Sequence, residues 1–203
     1  MKKNRIGVAV LVSGGGTNLQ AIIDAANAGK LPSCEIKCVI SSKTGAYALT
    51  RAENAGIPGY TVSRKELGAE EFERRIKEII KKHGAEVIVL AGFLSILSAG
   101  FTRAFPERII NVHPALIPAF CGKGMYGLKV HEAALKYGVK VTGATVHFVN
   151  EVPDGGKIIM QKAVNIREND TPETLQKRVM RLAEWKILPA ALEKVCAEIL
   201  TQK

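Results

Sequence analysis

The sequence is poor in cysteine, with only Cys34, Cys38, Cys121 and Cys196 and no CxxC pair among them. That spacing, in a chain without a convincing secretory signal, rules out a disulfide framework and points to reduced thiols in a cytoplasmic protein. Long hydrophobic runs are also missing: no stretch approaches the ~20 apolar residues of a spanning helix, so no membrane partner is expected. Met1-Lys2-Lys3 ahead of the apolar run from Ile6 to Val12 imitates a signal peptide, but the run is short and breaks at Ser13-Gly14-Gly15-Gly16, as a first buried strand would. Asn169-Asp170-Thr171 fits a glycosylation pattern that has no meaning without secretion. No group of Cys, His, Asp and Glu has zinc spacing, so no metal is expected, and no serine sits in a nucleophile elbow. Repeats, low-complexity tracts and dividing linkers are absent as well.

What is present suits one compact domain over residues 1–203: 47% hydrophobic and 24% charged side chains. A formal net charge of +10 suits an anionic partner, yet charge alone is not a nucleic-acid footprint. The densest basic run, Arg74-Arg75 through Lys81-Lys82, alternates with Glu71, Glu73 and Glu78 and reads as a solvated helix face, so no nucleic-acid partner is expected.

Apolar runs rich in β-branched residues predict strands at Arg5–Val12, Cys34–Ile40, Gly59–Val62, Glu86–Leu90, Arg108–Val112, Val141–Val149 and Lys157–Ile166. Amphipathic spacing predicts helices at Asn18–Ala28, Gly45–Ala55, Ala69–His83 and Val130–Tyr137, and one long helix from Pro172 to Leu200. The alternation predicts an α/β fold with a doubly wound, mostly parallel sheet, since strands apolar throughout need cover on both faces. The turn Pro153-Asp154-Gly155-Gly156 divides the last two strands, which are expected to pair as an antiparallel edge hairpin. Ligands of such sheets gather beyond the carboxyl ends of the strands.

Ser13-Gly14-Gly15-Gly16-Thr17-Asn18-Leu19 occupies such a place, between the first strand and the first helix. Glycines there let backbone approach a ligand, and free helix-terminal N–H groups favour an anion. The dinucleotide fingerprint fails, because Leu19 stands where a third glycine is needed and Ser41-Ser42-Lys43 replaces the acidic residue after the second strand. The Walker pattern fails too, for want of a closing Gly-Lys-Ser/Thr. A single phosphate ester is the expected guest; the plainer alternative is a tight turn with Thr17 as helix cap.

Asn111 and His113 lie two apart at a strand end, so their side chains share one side of the backbone. An Asn amide can donate to a developing oxyanion, and an imidazole can exchange protons near neutral pH. A strand-end Asn in a turn and a backbone-satisfied His are the plainer readings. Asp154 is either a turn residue or a carboxylate that orients His113 and favours its charged form. His147 alternates within an apolar strand and is a supporting residue, while His131 opens one helix and His83 closes another.

Taken together, Val12–Gln20, Leu90-Ala91-Gly92-Phe93-Leu94, Asn111-Val112-His113-Pro114-Ala115-Leu116-Ile117-Pro118, Val146-His147-Phe148-Val149, and Asp154-Gly155-Gly156 followed by Ile158-Ile159-Met160-Gln161 closely resemble the folate-dependent formyltransferases, in the branch acting on glycinamide ribonucleotide. The resemblance runs nearly end to end. It implies a Rossmann-like formyltransferase fold and formyl transfer from 10-formyltetrahydrofolate to the amine of glycinamide ribonucleotide, a step of de novo purine biosynthesis. It further implies a monomer or weak homodimer, with no metal. By the same resemblance Asn111, His113 and Asp154 are catalytic, and Gly15, Gly16, Thr17, Asn18 and Glu184 bind the substrate. Leu94, Ser95, Ile96, Leu97, Val149, Asn150 and Asp154 would meet the folate, with Ser95 standing where some members carry a basic residue. Ile117–Pro118 is the candidate cis bond. Relatives acting on tRNA, or hydrolysing the folate, carry a further domain for which the chain has no room.

Overall fold

A computed structural model describes residues 5–203; the signal-like Met1-Lys2-Lys3 lies outside the described residues. Seven strands form one sheet in the order β3-β2-β1-β4-β5-β6-β7. They are β1 (Ile6–Val12), β2 (Cys34–Ser41), β3 (Gly59–Thr61), β4 (Val87–Leu90), β5 (Ile109–His113), β6 (Val141–Phe148) and β7 (Ile158–Asn165). The first five pair in parallel. The antiparallel edge is wider than a hairpin, because β6 pairs antiparallel with β5 as well as with β7.

Period-two alternation divides β1 between two cores. Val8, Val10 and Val12 join one cluster with Leu19 and Ile22 of α1 (Thr17–Asn27) and Leu188 and Leu192 of the last helix. Ala9 and Leu11 join the other, with Phe72, Ile76 and Ile80 of α4 (Ala69–Lys82). Every residue of β1 is therefore buried, which explains its unbroken apolar sequence. Strand order reverses between β1 and β4, so their following loops diverge and leave a crevice at the carboxyl edge of the sheet.

The helices depart from expectation at three places. Short α3 (Arg64–Leu67) and α5 (Ala99–Arg103) have too few residues for periodicity to reveal them; α5 is instead started by Ser98, whose side chain accepts from the Phe101 N–H. α2 (Tyr47–Asn54) and α6 (Leu128–Tyr137) fall where predicted. The expected long terminal helix is α7 (Pro172–Val179) and α8 (Trp185–Thr201), joined by a π-helical turn over Met180–Glu184. A reciprocal box between Thr171 and Thr174, with Pro172 in the first turn, starts α7. No helix of the described residues is long and apolar enough to cross a membrane.

Candidate functional site

The crevice is a cavity of about 690 Å³, a size suited to a small organic ligand. Its wall combines the glycine loop after β1, the loop after β4, the end of β5, residues 122–127, Asp154 and the inward face of the π-turn region. A second depression of about 950 Å³ lies between α1 and α8. Its wall carries Gln20, Asp24, Lys30, Arg51, Lys186 and Glu193 but, among the described residues, no histidine, whereas the crevice brings an amide, imidazoles and a carboxylate together and is the better candidate for chemistry.

Asn111, His113 and Asp154 meet in the crevice wall. Antiparallel register sets Asn111 opposite His147 and His113 opposite Thr145. His147 Nδ1 faces the Phe148 carbonyl at 2.8 Å, so it carries the proton, and Asn111 Nδ2 donates to the bare Nε2 at 3.2 Å. His147 thereby fixes which way the Asn111 amide faces. Thr145 holds the strand-end segment: its Oγ1 donates to the Ala115 carbonyl at 2.7 Å and accepts from the Ile117 N–H at 3.1 Å. The Ile117–Pro118 bond that follows is cis.

His113 is 3% exposed. Its Nε2 donates to the Phe120 carbonyl at 2.8 Å, and its Nδ1 lies 3.5 Å from Asp154 Oδ2. Asp154 arrives on the β6–β7 turn with φ 55°, a left-handed conformation that Asp tolerates better than most residues. The turn closes because Gly156 has no side chain: a Cβ there would lie 1.7 Å from the Phe148 carbonyl oxygen. Asp154 also accepts from the Gly122 N–H at 2.9 Å and lies 3.5 Å from His147 Nε2.

Burial pulls the His113 pKa below its ordinary 6.5, and the opposing pull of Asp154 and the Phe120 carbonyl does not overcome it. The carboxylate neighbour thus offsets only part of the cost that burial puts on charging the ring. For Asp154 burial acts upward, but the Gly122 N–H bond and the two imidazoles beside it leave the carboxyl below its ordinary range.

At the other end of the crevice, α1 starts directly after Gly16, which has φ 72° and supplies no side-chain cap. Thr17 is the first helical residue and not the cap, so the N–H groups of the first turn face the crevice without side-chain acceptors. Gly16 is required sterically, since a Cβ would lie 2.6 Å from that of Ala48. Gly14 and Gly15 have open space where a Cβ would be, room for a ligand to approach backbone. Arg51, which sequence reading missed, braces the loop by donating from Nε to the Gly15 carbonyl at 2.8 Å. No local pattern marks it, because it reaches across from α2.

Asn18 Nδ2 donates to Glu184 Oε2 at 2.7 Å, linking residues 166 apart in sequence. Glu184 is 6% exposed, and burial pushes its carboxyl up to about 7 despite the Asn18 hydrogen bond. Asn18 Oδ1 is buried and has no hydrogen-bond partner among the described residues. Gln176 and Met180 share this wall. Steps of four residues drift by about 40° on an α-helix, and the wider π-turn offsets that drift between Met180 and Glu184.

Of the residues expected to meet folate, Leu94, Ser95 and Ile96 line the crevice, and Leu94 and Ile96 are exposed apolar side chains. The Leu94 N–H donates to Ser13 Oγ at 2.9 Å, tying this loop to the glycine loop. Leu97 and Val149 are not in the crevice wall: their apolar side chains pack against the core beside α4. Asn150 folds its own loop, accepting from the Val152 N–H at 3.0 Å. Among the described residues no group of three or more His, Cys, Asp or Glu side chains is placed to hold a metal ion.

A family model described as formyl transferase matches residues 6–192. The chain is 41% identical over 187 residues to the phosphoribosylglycinamide formyltransferase of Haemophilus influenzae, covering 92% of this chain and 85% of that one. It is 42% identical over 200 residues to the trifunctional purine biosynthetic protein adenosine-3 of Gallus gallus, covering 97% of this chain but 19% of that much longer protein. The crystal structure of glycinamide ribonucleotide transformylase 1 from Symbiobacterium toebii superposes with a TM-score of 0.89 at 38% identity, over 96% of this chain and 89% of that one.

Proposed function

The chain belongs to the formyl transferase family, and from that membership we propose that its single domain transfers the formyl group of 10-formyltetrahydrofolate to the amine of glycinamide ribonucleotide. The observation that carries this reading is the meeting of Asn111, His113 and Asp154 in the cavity that also holds the uncapped start of α1 and Glu184. One end of the cavity suits a phosphate ester, the other carries an oxyanion donor beside a proton-exchanging pair, and the exposed Leu94 and Ile96 offer an apolar seat to a flat folate ring. The donor supplies an activated formyl group; the remaining chemistry belongs to side chains of this chain.

In this reading the acceptor nitrogen bonds to the formyl carbon while the carbonyl π pair moves onto oxygen. The Asn111 amide, held by His147, donates to that oxygen. The His113 ring is the second donor once it has gained a proton at Nδ1, which lies 3.5 Å from Asp154 Oδ2. Asp154, kept ionised by the Gly122 N–H bond and the imidazoles beside it, takes the proton that the acceptor nitrogen loses, directly or through a water, and passes it to His113. Collapse of the oxyanion expels the folate nitrogen, which leaves as an N–H after taking up that same proton from His113. No covalent enzyme intermediate is required.

Asn111→Ala and His113→Ala are each expected to lower kcat by about 100- to 1000-fold with KM changed little and the fold retained. Steady-state kinetics with a melting curve for each variant check this. Turnover near wild type in a folded variant would remove the assigned roles.

A further inference from the structure

His131 lies in the first turn of α6, where no structural use of it is visible. Its side chain is 0% exposed, and neither Nδ1 nor Nε2 has a hydrogen-bond partner among the described residues. It does not cap the helix, whose N-cap is Gly127 without a side-chain bond. A histidine kept for structure would have its nitrogens satisfied, because buried polar atoms that give up water without replacement weaken a fold. Burial, with His113 nearby, lowers its pKa to about 4, so the ring is neutral and offers one donor and one acceptor.

The position of the ring suggests what those atoms serve. His131 forms part of the cavity wall with His113 and Glu184. Its helix packs against α7, which supplies Gln176 and leads into the turn carrying Met180 and Glu184. The exposed apolar side chains Leu94 and Ile96 belong to the loop after β4 instead. His131 therefore shares the polar wall, which suits a ligand rich in hydroxyl and amide groups.

We propose that His131 is a further binding residue for the phosphorylated amine acceptor, its neutral imidazole exchanging hydrogen bonds with polar groups of that substrate on the wall shared with Gln176 and Glu184. This rests on the transferase reading above.

The test compares wild type with His131→Leu, close in size but without polar atoms, and His131→Gln, which keeps a donor and an acceptor. Melting temperatures are taken without substrates, and acceptor and donor are varied separately in steady-state kinetics. The leucine variant is expected to melt no lower than wild type, and up to about 2–4 °C higher. Its kcat/KM for glycinamide ribonucleotide is expected to fall at least about tenfold, with the KM for the folate donor within about twofold and part of the loss recovered by glutamine. Wild-type acceptor kinetics in the leucine variant would overturn the proposal. So would a loss confined to the donor, or a fall in melting temperature and activity together in both variants. Should wild type itself show no acceptor-dependent turnover, the transferase reading fails first. Calorimetric titration with glycinamide ribonucleotide then decides the role of His131: weaker binding to the leucine variant sustains it and equal binding overturns it.

Discussion

Two buried residues of the crevice, Glu184 and His131, make opposite demands on pH. The folded-state pKa of Glu184 is about 7 against an ordinary 4.5, so the native state binds the extra proton. Its contribution to stability is full below pH ~4.5 and is lost as pH rises through 7. His131 is depressed to about 4 from 6.5, so its contribution is present above 6.5 and lost as pH falls towards 4. Glu184→Gln is therefore expected to melt higher than wild type at pH 8, by an amount on the order of 1–3 kcal/mol, and to show little gain at pH 5. Melting curves at both values check the sign; an equal gain at the two would mean that the carboxyl does not titrate in this window. The same substitution removes an acceptor from the wall, so the KM for the ribonucleotide should rise. Sequence alone exposed Glu184 only through family resemblance, since a Glu on an amphipathic helix ordinarily faces water. Its burial depends on Asn18 of α1, a partner that no local spacing reveals. The downward shift of His113 was not legible for a related reason: the pattern names Asp154 as neighbour but not how deeply the ring is buried.

Among the elements, the junction of β1 and α1 has the sharpest consequence. Gly16→Ala combines a left-handed φ with contact at 2.6 Å to Ala48, whereas Gly14→Ala meets nothing within 4 Å. Gly16→Ala should cost about 1–3 kcal/mol of stability and raise the KM for phosphorylated acceptor. Gly14→Ala should leave the melting temperature unchanged and still weaken that binding, because its methyl enters the space a phosphate would use. Equal affinity of Gly14→Ala for the phosphorylated acceptor would argue against a phosphate seat there. All seven strands were legible: the inner ones from unbroken apolar runs, as a sheet covered on both faces needs, and the largely exposed edge strands β3 and β7 from β-branched residues between turn signals. The π-turn was not, since Leu175, Val179 and Ala183 keep the apolar spacing of a continuous helix across it. Nor was the inward packing of Leu97 and Val149, because an apolar residue in a loop beside a crevice reads equally well as ligand contact or core.

For the whole molecule, the net charge of +10 acts on association more than on chemistry. The basic helix α4 is internally compensated, Arg74 pairing with Glu71 and Glu78, as alternating signs predict. The remaining positive field should steer an anionic phosphate ester, so kcat/KM for the acceptor should fall several-fold as salt is raised, with kcat nearly constant. Salt-independent kcat/KM would mean the net charge plays no part in capture. The account as a whole turns on one cavity holding both a phosphate seat and an oxyanion site, and formation of tetrahydrofolate from a 10-formyl donor, with and without glycinamide ribonucleotide, tests it most directly. Turnover that requires the acceptor and yields formylated ribonucleotide is the predicted result. Release of formate at the same rate without acceptor, or no turnover by folded protein, would contradict it.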